Sequence, residues 1–355
     1  MKRRTLVVAI LLVLVLALSL STTSCKKKEE PAVETPPETE VVATPVEPVP
    51  ETIVEETVPE PEPEESYHPL ISKRYPWVIM INNHPDARPQ SGVSTASLIY
   101  EILVEGRMTR LLMVTEDEEA LVGPIRSARP AFFDHVLEWQ GFYAHVGNYE
   151  YVKQHPYGDE IKDMDQFYHA GRAYYRETHR KAPHNMYAPL DKLYAAAEAE
   201  GYQIELPEEG LGHFNQYDEY HDYGEAPAAT SVSFSYDNYT GLDYRWNEEK
   251  QMYEKYINGK IMVEEFTKEE IEIGNLIILR RPHSKMPNGV HEKVEYLGEG
   301  EATYFTGGKM YALTWKKDDN KTPTKYFIDG KELILNPGLT FINVIPESLD
   351  VKIDG

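Results

Sequence analysis

Cysteine is nearly missing from this chain: Cys25 is the one thiol in 355 residues. No disulfide can form within the molecule, so its folded part is held by its core. Long apolar runs are short as well. The longest, Thr5–Leu20, covers about 16 residues, against the roughly 20 of a comfortable membrane-spanning helix. Positive charge is scarce, with 36 Lys and Arg against 59 Asp and Glu and a formal charge of −23. Such an acidic balance argues against a nucleic-acid partner, which needs a basic face. Gly-x-Ser-x-Gly, a phosphate-cradling glycine loop and His-Glu-x-x-His are all absent, which removes the familiar hydrolase, nucleotide and zinc-protease templates.

What is present begins with an address. Met1–Arg4 is basic and the apolar run follows it, the pattern of a secretory signal. Thr22-Thr23-Ser24-Cys25 resembles the bacterial lipobox, with threonine at position 22 where leucine is commonest. That resemblance implies a signal peptide over residues 1–24 and a lipidated Cys25 as the mature N-terminus. The protein would then be extracytoplasmic, held to the bacterial cell membrane by acyl chains that do not span it. An uncleaved signal anchor is the competing reading. From residue 26 to 66 the chain has thirteen glutamates, nine prolines and no aromatic residue. A segment of that kind buries too little apolar surface to offset its chain entropy, so residues 25–66 read as a disordered acidic tether. Near full extension it reaches roughly 100 Å.

Residues 67–225 read as an α/β domain. Short apolar runs at 77–81, 111–114 and 142–146 predict strands. Between them, helices are expected from Ser94 with Leu98, Ile99, Ile102 and Leu103 on one face, and from an N-cap at Ser127. A third is expected from Pro189 to Gly201. After a joint at 225–229 the apolar period falls to two, with strand runs at 232–236, 242–246, 252–256, 302–305, 310–315, 326–328, 332–335 and 340–345 and a fully apolar short run at 276–279. Residues 226–355 therefore read as a mostly antiparallel all-β domain, a sandwich or barrel.

The stretch Gly123-Pro124-Ile125-Arg126-Ser127-Ala128-Arg129-Pro130 places two cations where a helix begins, against the helix dipole. Eight of the fourteen arginines fall between Arg88 and Arg180, and a guanidinium fork suits carboxylate and phosphate. The functional reading sets Arg88, Arg110, Arg126 and Arg129 around one anion at the strand ends, with Glu101, Glu105 and His184 lining the same cleft. The competing reading is an internal ion-pair network. Glu101 and Glu105, four apart on the expected helix face, read as a carboxylate pair able to hold Mg²⁺ or do acid–base work, or, the favoured reading, as salt-bridge partners of those arginines. His84 and His184 sit in proline-bearing loops, where each is either a general base or polar packing. His213–Asp222 offers many ligand atoms but no zinc spacing, and reads as a solvated loop. No metal site and no cofactor are called for, and no catalytic residue is assigned.

Several of these motifs occur together: Ala87 to Gly92, Tyr100 to Gly106 with Thr109-Arg110, Gly123 to Pro130, and Arg180 to Asn185. In this order they resemble the YerB-like bacterial lipoproteins, over about Trp77 to Pro346. The resemblance implies an envelope lipoprotein with a body of two domains of unknown function, and it carries over no catalytic residues. The leading expectation is a lipid-anchored envelope protein whose α/β domain binds an anionic small molecule or an envelope protein. One alternative is an enzyme acting on a phosphate-containing envelope substrate. The other is a non-binding envelope scaffold.

Overall fold

A computed structural model describes residues 65–355 except 170, 209 and 237–239. The signal peptide, Cys25 and all but the last two residues of the tether lie outside the described residues. Among the described residues no helix is long and apolar enough to cross a membrane.

The protein is mostly β, organised by one large sheet. Its strands, numbered in chain order, begin with β1 (Trp77–Asn82), β2 (Leu98–Leu103), β3 (Thr109–Thr115), β4 (Phe142–His145) and β5 (Lys162–Asp165). They continue with β6 (Ser231–Ser235), β7 (Gly241–Asn247), β8 (Met252–Ile257), β9 (Glu272–Arg281), β10 (Gly298–Thr306), β11 (Lys309–Lys317), β12 (Lys325–Ile328) and β13 (Leu339–Pro346). Among the described residues three α-helices accompany them: α1 (Phe133–Trp139), α2 (Tyr149–Gln154) and α3 (Leu190–Ala199). The sheet runs β12-β11-β10-β9-β13-β2-β3-β1-β4-β5, with β6, β7 and β8 branching from β9. Most pairings are antiparallel. β13 is parallel to both of its neighbours, β9 and β2, and β1, β4 and β5 run parallel to one another.

Side chains of the central strands alternate between two buried faces, as the period of a strand requires. Trp77, Ile79 and Ile81 join Ile99, Leu276, Ile278 and Phe341 on one face. Val78 and Met80 join Leu98, Tyr100, Ile277 and Ile342 on the other. α3 closes the first core through Leu190, Leu193 and Ala197, together with Val232, Leu242, Tyr244 and Tyr253 of the branch strands. α1 closes the second through Phe133, Val136, Leu137 and Trp139. Both cores draw on both halves of the chain, and residues 62–355 form one compact unit. β13, from the C-terminal half, is hydrogen-bonded to β2 of the N-terminal half, so the expected α/β domain does not close on its own sheet.

Two expected helices need correction. The segment from Ser94 to Gly106 is no helix: a short 3-10 turn at Val93–Thr95 leads into strand β2. Its apolar run is buried on both faces between β13 and β3, the burial of a central strand, and that satisfies helical spacing by accident. Ser127 is not a helix N-cap. A 3-10 turn, Pro130–Phe132, comes first, with Arg129 at its N-cap position, and α1 starts at Phe133 and runs only seven residues. Pro130 does occupy the first turn. The charge conflict expected at that terminus is met by a carboxylate instead, as described next.

Candidate functional site

The stretch Gly123–Pro130 lies across the C-terminal ends of two parallel strands. Asn82 of β1 donates its backbone N–H to the Pro124 carbonyl (2.8 Å), Arg126 donates to Met80 (2.8 Å), and Val146, just past β4, donates to Arg126 (3.0 Å). Arg110, the second residue of β3, lies opposite Asn82 in register, at this same edge. Glu105 stands there too, in the 3-10 turn Glu105–Arg107 that joins β2 to β3. Strand ends of this kind are where open α/β sheets gather their sites.

Glu105 is the shared counter-ion. Arg129 forks onto it, Nε to Oε2 at 2.5 Å with Nη2 on Oε1, and Arg110 Nη2 reaches Oε1 at 3.2 Å. Arg110 Nη1 also donates to the Ser127 carbonyl, and Arg129 Nη1 to that of Ala128 (2.8 Å). Burial alone pushes the Glu105 carboxyl up, but the Arg129 hydrogen bonds and the two guanidinium charges outweigh it and hold its pKa at about 2. Arg110 moves the other way: burial, then the charge of Arg129, pushes it down to about 9.

Arg126 is different. Among the described residues no carboxylate lies within 4 Å of it and its side chain makes no hydrogen bond. It is half-buried, and burial followed by the charge of Arg129 depresses its pKa. Three guanidiniums therefore face one carboxylate, leaving two positive charges uncompensated in a strongly acidic protein. Behind them Tyr143 is wholly buried with a hydroxyl that makes no hydrogen bond, and burial raises its pKa. Nothing in the local sequence singles out Tyr143; only its place on β4 does.

His184 lies beside this edge, stacked on His84 with ring centroids 4.4 Å apart. Burial, then His84 and Arg126, lower its pKa. One ring nitrogen of each histidine and a carboxylate oxygen of Asp86 lie within 4.8 Å of one another, a group able in principle to hold a cation. The hydrogen bonds oppose that use. Asp86 N–H donates to His84 Nδ1 (3.1 Å), and Asn82, whose Oδ1 accepts the His84 N–H (3.1 Å), presents Nδ2 to His184 Nδ1 (2.9 Å). A ring nitrogen that accepts carries no proton, so both imidazoles hold their proton on Nε2. They present N–H groups, not lone pairs. Binding a metal at Nε2 would require Asn82 to turn over and Asp86 N–H to lose its acceptor.

The remaining expected members stand apart. Arg88 is bound to Asn83, its Nε to Oδ1 at 3.0 Å and Nη2 to the carbonyl at 2.6 Å. Glu101 does not face Glu105: on β2 it is fully buried, accepts from Asn83 (3.1 Å) and Thr109 (2.6 Å), and pairs with Lys255 of β8. Arg180 is committed to Glu265 through Nε (2.9 Å) and Nη2 (2.6 Å). The expected solvated loop at His213–Asp222 is partly interior. His213 is buried against Trp139, and Asn215–Tyr217 is a short strand. Lys255 and Glu265 lie more than 80 residues from the groups they serve, which no local motif signals.

Two family models match, Protein of unknown function (DUF3048) N-terminal domain over residues 63–203 and its C-terminal domain over residues 230–342. The chain belongs to this YerB-like family, whose two parts are domains of unknown function. Among its relatives is the Bacillus subtilis (strain 168) protein described as "Putative lipoprotein YerB", 28% identical over 284 residues that cover 78% of this chain and 83% of the relative. The crystal structure of YerB from Bacillus subtilis superposes with a TM-score of 0.68 at 26% identity, covering 79% of this chain and 94% of that one.

Proposed function

We propose that this protein is a lipid-anchored extracytoplasmic protein that binds an anionic ligand at the sheet edge where Arg110, Arg126 and Arg129 meet. In this reading residues 67–225 act as the α/β binding part and residues 226–355 as its β-rich support. The observation that carries it is Arg126: a half-buried guanidinium without a counter-ion among the described residues, beside two others that already share one carboxylate. Partial burial strengthens the field that an anion meets there, and a guanidinium fork offers it paired donors. The description of the Bacillus subtilis relative as a lipoprotein supports the anchor, as does Cys25 at the end of the apolar run.

The test uses residues 25–355 carrying Cys25→Ser, so that lipid does not interfere, and titrates inorganic phosphate by calorimetry. Saturable binding is expected, weakened at least tenfold by Arg126→Ala. Binding unchanged in that variant, or no binding to the folded wild type, would sink the reading.

A further inference from the structure

Arg88 was expected to share the anion site of the other arginines, yet it lies in a separate cleft with its own chemistry. The loop carrying Pro85–Gln90 and the hairpin at residues 257–263 enclose a cavity of about 340 Å³. Ile257, Ile261, Met262 and Val263 line its apolar wall, and Arg88 and Lys260 supply its cationic groups. That is the make-up of a small-molecule site: concave, mostly apolar, with a few polar groups to fix orientation.

Charge accounting sharpens the reading. Two of the Arg88 nitrogens are spent on Asn83, while Nη1 makes no hydrogen bond and no carboxylate of the described residues lies within 4 Å. Burial depresses its pKa, with Glu101 opposing. Behind it stands the fully buried Glu101–Lys255 pair, and the charge of Arg88 helps to push Lys255 down after burial itself. Arg88, Lys255 and Glu101 thus sum to one positive charge in a largely dry setting, where charges call for partners.

We propose that this cleft binds a medium-chain carboxylate, a monoanion whose head meets Arg88 Nη1 and whose tail lies along Ile257, Ile261, Met262 and Val263. Lys260 is exposed to water, so one negative charge completes the balance of Arg88, Lys255 and Glu101. A volume of about 340 Å³ lies at the small end of ligand sites, roughly 300–1,000 Å³, and octanoate is taken as the probe of that size. This site is independent of the one under Proposed function.

The experiment titrates residues 25–355 with Cys25→Ser against octanoate, octyl phosphate, octanol and octylamine by calorimetry. Octanoate is expected to bind at least tenfold more tightly than octanol or octylamine. Arg88→Gln should reduce its affinity tenfold or more, and Arg126→Ala should leave it unchanged. Met262→Trp, which fills the cavity without touching the cations, should abolish binding, and it carries the test if Arg88→Gln does not fold. Failure of octanoate to bind the folded protein, equal affinity for octanol, or octanoate binding that survives Met262→Trp would overturn the assignment. Octyl phosphate binding tenfold more tightly than octanoate would overturn the monoanion argument.

Discussion

Glu105 sets how much positive charge the sheet edge shows to solvent. Among the described residues its carboxylate is the one acid held by Arg110 and Arg129, and its pKa of about 2 lies below the ordinary 4.5 of a glutamate. A depressed carboxyl stabilises the folded state fully above the unfolded value, and that contribution fades as pH falls from about 4.5 through about 2. Glu105→Gln should therefore flatten the loss of stability across that window, read as denaturant midpoint against pH. The effect is reduced by screening, because part of the group is open to water. At neutral pH the same change removes the counter-ion of two guanidiniums and one of their two acceptor oxygens, costing about 2 kcal/mol. It also raises the local charge by one, so phosphate affinity should rise by several-fold while Arg126→Ala lowers it. If phosphate affinity fell in Glu105→Gln, that carboxylate would belong to the ligand contact and not oppose it.

At the scale of elements, strands β1, β3 and β4, helix α3 and the period-two strands of the C-terminal half were legible in the sequence, because each carries its own local pattern. β2 was not. Leu98-Ile99-Tyr100-Glu101-Ile102-Leu103 fits a helical stripe at spacings of three and four, and only burial on both faces and pairing with β13, some 240 residues later, make it a strand. The candidate site fared likewise. Arg110, Arg126, Arg129 and Glu105 do converge, whereas Glu101 is taken by Lys255 and Arg88 by Asn83. β9 carries a further element-level constraint. The register against β13 shifts between Ile273 and Asn275, and a Cβ on the intervening Gly274 would sit 2.2 Å from the Pro337 carbonyl oxygen. Gly274→Ala should therefore destabilise by about 2 kcal/mol, the cost of overpacking where backbone cannot give way. Gly241→Ala on β7, whose added Cβ meets only Asn258 Oδ1 at 3.5 Å, should stay within about 0.5 kcal/mol. Chemical denaturation of both variants checks the contrast.

For the whole molecule, the sequence recurs in the family as two units, over residues 63–203 and 230–342, but the second ends at residue 342, inside β13. That strand is the seam: it is parallel to β9 on one side and to β2 on the other. Buried ion pairs cross the same boundary, Glu101 with Lys255 and Glu138 with Lys317, all four side chains closed to solvent. Arg180 with Glu265 crosses it as well. Cutting the chain near residue 225 would expose the edge of β2 and strand Glu101 and Glu138 as buried carboxylates without their lysines, at several kcal/mol each. Both cores also mix residues from the two halves, so each half would lose part of its packing. Residues 65–225 alone should therefore show no native near-ultraviolet circular dichroism, and residues 65–355 should melt in one calorimetric transition with equal calorimetric and van't Hoff enthalpies. Two resolved transitions, or a separately folded N-terminal fragment, would mean that β13 merely docks against a finished sheet; a single transition means that the two family units are one cooperative body.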